Sequence, residues 1–146
     1  CPESLVLRGN RCKDVERLCI LIETGGLRAL DLADNLLNDK SLAQLCAALA
    51  SSRAALAALQ LSGNLRIAAA GHRRLAEQLA RSPLRRLALA RTALGDADAA
   101  ILAAALPHCT LDELRAEATK LSNAGARQLL AAAQDSPGVA SLSVDE

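Results

Sequence analysis

The 146-residue sequence contains no Phe, Tyr, Trp or Met. Without aromatic rings the chain cannot stack on nucleic-acid bases, form an aromatic cage around a quaternary ammonium group, or supply the Tyr and Trp anchors common at protein interfaces. A chain without Met cannot begin at its own start codon, so we expect a fragment or processed piece of a longer protein. The absence of aromatic residues therefore excludes several modes of recognition.

Long apolar runs and a cysteine framework are also absent. No uncharged stretch reaches the ~18 apolar residues that a membrane-spanning helix needs, and no basic-then-apolar signal segment opens the sequence. The five cysteines (Cys1, Cys12, Cys19, Cys46 and Cys109) are odd in number and lack a Cys-x-x-Cys pair, which argues against a disulfide framework or zinc site. We expect buried, reduced thiols, a cytoplasmic location with cytoskeletal, ciliary or nuclear association left open, and no membrane contact.

Charge is nearly balanced overall but uneven along the chain. The net charge is +1, from 17 basic and 16 acidic residues. Residues 53–91 carry 8 arginines against Glu77 alone, whereas residues 92–146 carry 3 basic and 8 acidic groups. This asymmetry bears on association with partners more than on fold.

One phrase recurs along the chain. It reads LRALDLADNLL from Leu27, LAALQLSGNL from Leu56, LRRLALARTAL from Leu84 and LDELRAEATKL from Leu111, with partial copies near both ends. Its central leucine falls at Leu5, Leu30, Leu59, Leu87, Leu114 and Leu142, at spacings of 25 to 29 residues. The pattern predicts a single domain of about six repeats, 1–26, 27–55, 56–83, 84–110, 111–138 and the partial 139–146.

Each repeat has two halves with different periodicity. The first half alternates, as in Leu59-Gln60-Leu61, which is typical of a short strand with one buried face. The second half places leucines three and four residues apart, as at Leu42, Leu45 and Leu49, which predicts a helix. Strands that alternate with helices indicate an α/β fold with parallel strands.

The repeat resembles the ribonuclease-inhibitor type of leucine-rich repeat, the long intracellular class with the motif LxxLxLxxNxL followed by a helix. The residues that carry the resemblance are Asn10, Asn35 and Asn64 at the Asn position, Thr92 and Thr119 in its place later, Leu94-Gly95-Asp96, and the later glycines Gly71 and Gly125. The resemblance covers nearly the whole chain. It implies a horseshoe-shaped solenoid with parallel strands on the concave face and helices on the convex face.

The resemblance says little about function, but a solenoid of this kind presents an extended concave surface, which favours protein binding. We predict a non-catalytic interaction or assembly scaffold, part of a larger intracellular protein, that binds protein partners through its concave face or within a larger complex. The candidate contact residues lie on and just beyond the strands: Asp31, Asp34, Gln60, Arg86, Arg91, Glu113, Arg115 and Glu117.

Two alternatives remain open. Phosphate groups of a nucleic acid could pair with the central arginines, which are Arg73, Arg74, Arg81, Arg85, Arg86 and Arg91. The sequence, however, places these arginines on different sides of the repeats. Ran GTPase-activating proteins have similar repeats and use an arginine in a loop after a strand. Arg66, beside a one-residue insertion in the third repeat, invites that comparison.

Other chemistry has little support in the sequence. His72, which two arginines follow, is expected at the surface, and His108 lies in a link between a helix and a strand. Neither histidine has a recognisable orienting partner or metal-ligand spacing. We therefore predict no catalytic residue, no metal and no cofactor, and we expect no nucleic-acid partner.

Overall fold

Within the residues that the structure describes, six short strands alternate with five α-helices. The structure is a computed structural model that describes residues 4–9, 11, 15–51, 54–79, 81–82, 84–117, 119–136, 138–139 and 141–144. The strands are β1 (Ser4–Val6), β2 (Ala29–Asp31), β3 (Ala58–Gln60), β4 (Arg86–Ala88), β5 (Glu113–Ala116) and β6 (Ser141–Val144). The helices are α1 (Glu16–Glu23), α2 (Asp39–Leu49), α3 (Ala69–Leu79), α4 (Asp96–Ala105) and α5 (Asn123–Gln134), and a 3-10 helix (Leu106–His108) follows α4.

The strands form one parallel sheet in chain order, from β1 to β6. In every pair of neighbouring strands, the two central leucines of the repeat are Cα partners, beginning with Leu5 opposite Leu30 and ending with Leu114 opposite Leu142. The predicted α/β class with parallel strands is therefore confirmed. A shift of one residue would have turned the leucines to the opposite face of the sheet.

The core lies between the sheet and the helices. Each α-helix packs against the next one along the chain. Strand leucines such as Leu59 and helix leucines such as Leu45 belong to the same buried cluster. The strand residues on either side of the central leucine are more exposed, as Ala58 and Gln60 are in β3. We call the sheet surface that carries these flanking residues the open face.

We call the turns that follow β2, β3, β4 and β5 the exit turns. Among the described residues, each exit turn contains a polar side chain that bonds the backbone. Asn35 Nδ2 donates hydrogen bonds to the carbonyl oxygens of Leu7 and Leu32, at 2.9 and 3.0 Å. Thr92 Oγ1 and Thr119 Oγ1 each donate to a carbonyl oxygen of the preceding strand or its end. These side chains satisfy backbone groups that the strand ends leave unpaired. Asn10 lies outside the described residues.

Asn64 forms hydrogen bonds through both the nitrogen and the oxygen of its side-chain amide. Its Nδ2 donates to the carbonyl oxygens of Leu32 and Leu61, at 2.9 and 2.8 Å, and its Oδ1 accepts from the amide of Leu37 at 3.2 Å. Asn64 thereby connects its own exit turn to the preceding one. Because the side chain is fully buried, water cannot replace these bonds.

Two glycines make room for a carboxylate of one helix to cap the start of the next helix. Asp39, the first residue of α2, accepts a hydrogen bond from the amide of Ala68 just before α3. A Cβ atom at Gly71 would lie 2.5 Å from this carboxylate. Asp96 of α4 and Gly125 of α5 repeat the arrangement, with the Ser122 amide as donor. Glycine at these two positions therefore leaves room for a carboxylate at the positive end of the next helix.

Candidate functional site

The centre of the open face holds a shallow recess of about 220 Å³. Side chains on both sides of the central leucines line it: Ser4, Ala29, Asp31, Ala58, Gln60, Arg86, Ala88, Glu113 and Arg115. The small alanine side chains of β2, β3 and β4 form the floor of the recess, and longer polar side chains form its border. The recess is smaller than the roughly 300–1,000 Å³ of ordinary small-molecule sites. Its size and shape suit a protruding side chain from another protein.

The charges around the recess are paired with neighbours on the same face. Arg86 Nε lies 3.9 Å from Glu113 Oε2, and Arg115 Nε lies 3.4 Å from Glu117 Oε1. Arg8 and Asp31 form a third pair, with a separation of 3.5 Å. Exposed pairs of this kind contribute little to stability, so a partner can exchange them for its own charges at low cost.

The structure brings together most of the residues predicted as contacts. Five of the eight line the recess: Asp31, Gln60, Arg86, Glu113 and Arg115. Glu117 lies beside Arg115, with which it is paired. Asp34 and Arg91 lie in exit turns rather than on the strands, and they contact each other. The predicted set therefore divides between the open face and the edge where the strands end.

The contact between Asp34 and Arg91 spans three repeats. Arg91 Nη2 lies 3.2 Å from Asp34 Oδ1, and Gly63 occupies the corresponding position in the repeat between them. A Cβ atom at Gly63 would clash with the same carboxylate oxygen. The pairing of Asp34 with Arg91 was not predicted from the sequence, although the glycine between two longer polar residues at equivalent positions was a signal.

The same two residues have an uncommon backbone conformation. Asp34 and Arg91 have φ values of 57° and 55°, in the left-handed region, where Gly9 and Gly63 occupy equivalent positions. The left-handed conformation costs a residue with a side chain about 1–2 kcal/mol relative to glycine, and arginine lacks the local hydrogen bonding that eases it for aspartate. Because all four equivalent positions have a positive φ, the turn itself requires this conformation.

The central arginines do not form one surface. Arg73 and Arg74 are exposed on α3, whereas Arg86 lies on the open face and Arg91 in an exit turn. Arg85, just before β4, donates from its Nε to Asp112 Oδ2 at 2.8 Å. The carboxylate raises the pKa of Arg85 by hydrogen bonding and by its charge. Since Arg85, Arg86 and Arg91 already have carboxylate partners, the cluster offers no continuous track for a phosphate backbone.

His72 is buried, not exposed as predicted from its arginine neighbours. Only 1% of its surface is accessible, because α3 turns this residue toward the fourth repeat while Arg73 and Arg74 point outward. His72 Nε2 is hydrogen-bonded to Thr92 Oγ1 at 3.1 Å, and Thr92 Oγ1 also donates to the Leu89 carbonyl. The other ring nitrogen, His72 Nδ1, lies 3.6 Å from Asp98 Oδ2.

This environment makes the stability of the fold sensitive to pH. Burial lowers the pKa of His72, and the opposing effects of the Asp98 and Asp39 carboxylates are smaller. The unfolded chain binds a proton at a higher pH than the folded chain. The free energy of unfolding should therefore fall as the pH decreases below the ordinary histidine value of 6.5, and level off below the folded pKa.

Urea unfolding followed by far-UV circular dichroism, between about pH 8 and about pH 5, measures this dependence. We expect His72→Gln to flatten the profile in this range, because the titrating imidazole is removed. His108→Gln changes an exposed histidine and should retain the slope of the original chain. Equal slopes for all three proteins would contradict the assignment to His72.

The remaining candidate residues are not grouped with others. Arg66 is exposed and forms only a backbone bridge with Asn38. Among the described residues, Cys19, Cys46 and Cys109 form no disulfide, and burial raises the pKa of Cys46 to about 12, which makes it unreactive as a nucleophile at neutral pH. Over the part of the chain that the structure describes, no three His, Cys, Asp or Glu residues are placed to hold a metal ion.

No protein-family model matches the chain, and no curated protein matches it significantly. Among the described residues, no helix has both the length and the apolar character needed to cross a membrane.

Proposed function

We propose that this chain is a leucine-rich-repeat solenoid of the ribonuclease-inhibitor type that binds a partner protein through its open face, without catalysis, as a module of a larger intracellular protein. The observation that carries the proposal is the recess at the centre of the sheet. Its floor is formed by small side chains, and paired charges that water can reach surround it. A small apolar floor inside a polar rim is the usual layout of a protein-binding surface.

The internal arrangement of the repeats supports the solenoid. Central leucines are aligned across all six strands, and Asn or Thr side chains bond the backbone in successive exit turns. Neighbouring strands lie ~4.8 Å apart, whereas packed helices need ~8–10 Å. A row of strands is therefore shorter than the row of helices behind it, and this difference favours an arc with the open face on its concave side.

The composition of the chain favours an interface in which the partner supplies the bulky anchoring side chain. This chain has no aromatic residue and no Met, so it cannot supply the bulky side chains that usually dominate binding energy. The recess over Ala29, Ala58 and Ala88 can accept one from outside. We infer that the partner inserts an aromatic or large aliphatic side chain there, and that Asp31, Arg86 and Arg115 pair with polar groups around it.

The two alternatives gain less from the structure. The distribution of the arginines over separate surfaces weakens the nucleic-acid alternative. The comparison with GTPase-activating proteins still depends on Arg66 alone and stays a prediction.

Filling the recess tests the proposal. Ala58→Gln places a longer neutral side chain at its centre, while Ala47→Gln makes the same change on the exposed outer side of α2. The original chain and both variants are immobilised and exposed to a nuclease-treated cell lysate, and retained proteins are quantified by mass spectrometry. We expect at least one protein to bind the original chain and Ala47→Gln about tenfold more than Ala58→Gln, the size of effect found at a central contact. Identical retention by all three would contradict binding through the open face.

A further inference from the structure

A second and larger recess lies at the edge of the sheet where the strands end. Its volume is about 670 Å³, and its lining includes Asp34, Gly63, Leu65, Arg91, Ala93 and Lys120. These residues come from four consecutive exit turns. We call this surface the exit edge. Gly63, which lacks a side chain, keeps the space between Leu65 and the Asp34–Arg91 pair open.

Leu65 forms an apolar wall of this recess. Its exposed fraction is 74%, whereas Leu61, four residues earlier, is completely buried. The third repeat carries an extra residue before its helix, and Leu65 lies in the turn that this residue lengthens. A single exposed leucine is ordinary on a protein surface. Leu65 differs because it borders a recess whose lining also includes Ala93 and several charged groups.

The charges of the exit edge favour an acidic ligand. Lys120 is exposed, and it pairs with no carboxylate among the residues that the structure describes. Arg91 is paired with Asp34, and both side chains remain accessible to solvent. Two cations, Arg91 and Lys120, thus line the recess with one anion, Asp34, beside an apolar wall. Such a surface attracts carboxylates and at the same time accepts an apolar side chain.

We propose that the exit edge binds an acidic segment of a partner protein, which packs an apolar side chain against Leu65 and pairs its carboxylates with Lys120 and Arg91. A nucleic acid fits this surface less well, because Leu65 offers it no favourable contact and the chain has no aromatic ring for its bases. The exit edge adjoins the open face, since Asp34 follows β2 and Arg91 follows β4. The proposal takes from the proposed function only that the partner is a protein, and it concerns a different surface.

The test is selection of a random peptide library, displayed on phage, against the full 146-residue chain. Enriched peptides are synthesised with a fluorescent label, and their dissociation constants are measured by anisotropy. We expect an apolar residue flanked by Asp or Glu among the enriched sequences. Leu65→Ser should weaken their binding about tenfold and Lys120→Glu about fivefold. Lys40→Glu, the same charge change on α2, and Ala58→Gln in the sheet recess should leave the affinity unchanged.

Leu65 and Lys120 are exposed, so these variants are expected to fold, and circular dichroism verifies this for each protein. The proposal is overturned if no peptide is enriched, if enriched peptides are not acidic, or if Leu65→Ser leaves their affinity intact. If Ala58→Gln weakens the binding of the peptides and Leu65→Ser does not, the result would support binding at the open face and contradict binding at the exit edge. A single-stranded oligonucleotide that binds more tightly than the peptides, with sensitivity to Lys120→Glu only, would identify a phosphate-binding surface instead.

Discussion

Replacing Leu61 with alanine is expected to lower the free energy of unfolding by about 3–4 kcal/mol. Leu61 is completely buried between the sheet and the helices. The substitution removes buried apolar surface from the core and leaves a cavity. The neighbouring repeats close this cavity only in part, because the sheet fixes their positions. Urea unfolding by circular dichroism gives the difference, since the chain has no aromatic residue to report by fluorescence.

Leu65→Ala is the matched control for this prediction. The side chain lies four residues further along and is 74% exposed, so its loss should change stability by no more than about 0.5 kcal/mol. Comparable losses for the two variants would show that Leu65 belongs to the core and would remove the apolar wall of the exit edge. A large difference would instead show that folding does not require Leu65, as expected for a residue that contacts a partner.

Replacing Asn64 with alanine should cost about 3 kcal/mol, although the side chain is polar. The change removes three hydrogen bonds and leaves the carbonyl oxygens of Leu32 and Leu61 and the amide of Leu37 without this partner in a buried turn. A buried backbone group without a partner costs about 1–3 kcal/mol, and partial relaxation keeps the total below the simple sum.

Asn123→Ala is the comparison for Asn64. Asn123 is exposed at the start of α5, and its replacement should change the free energy of unfolding by less than about 0.5 kcal/mol. If Asn64→Ala lowered the free energy of unfolding as little as Asn123→Ala, the exit turns would have to be stabilised by the core leucines alone. In that case Asn and Thr at these positions would not be a structural requirement of the repeat.

Sequence patterns predicted the fold more completely than the site. The two-residue alternation around Leu30, Leu59 and Leu87 identified the strands and their partners, because each side chain position belongs to one face. Five predicted contact residues line the sheet recess for the same reason. His72 was placed wrongly, because its neighbours in sequence are arginines whereas its neighbours in space are Thr92 and Asp98.

The sequence by itself determined the repeat, the order of strands and helices, and the leucines of the core, since all of these depend on periodicity within a single repeat. Only the tertiary structure decided which polar residues meet. The Asp34–Arg91 pair passes over Gly63, and its geometry depends on how three repeats stack. The exit edge likewise combines Leu65 with Lys120 from a distant part of the chain. Contacts of this kind follow from the spacing between repeats, which no periodicity along the chain records.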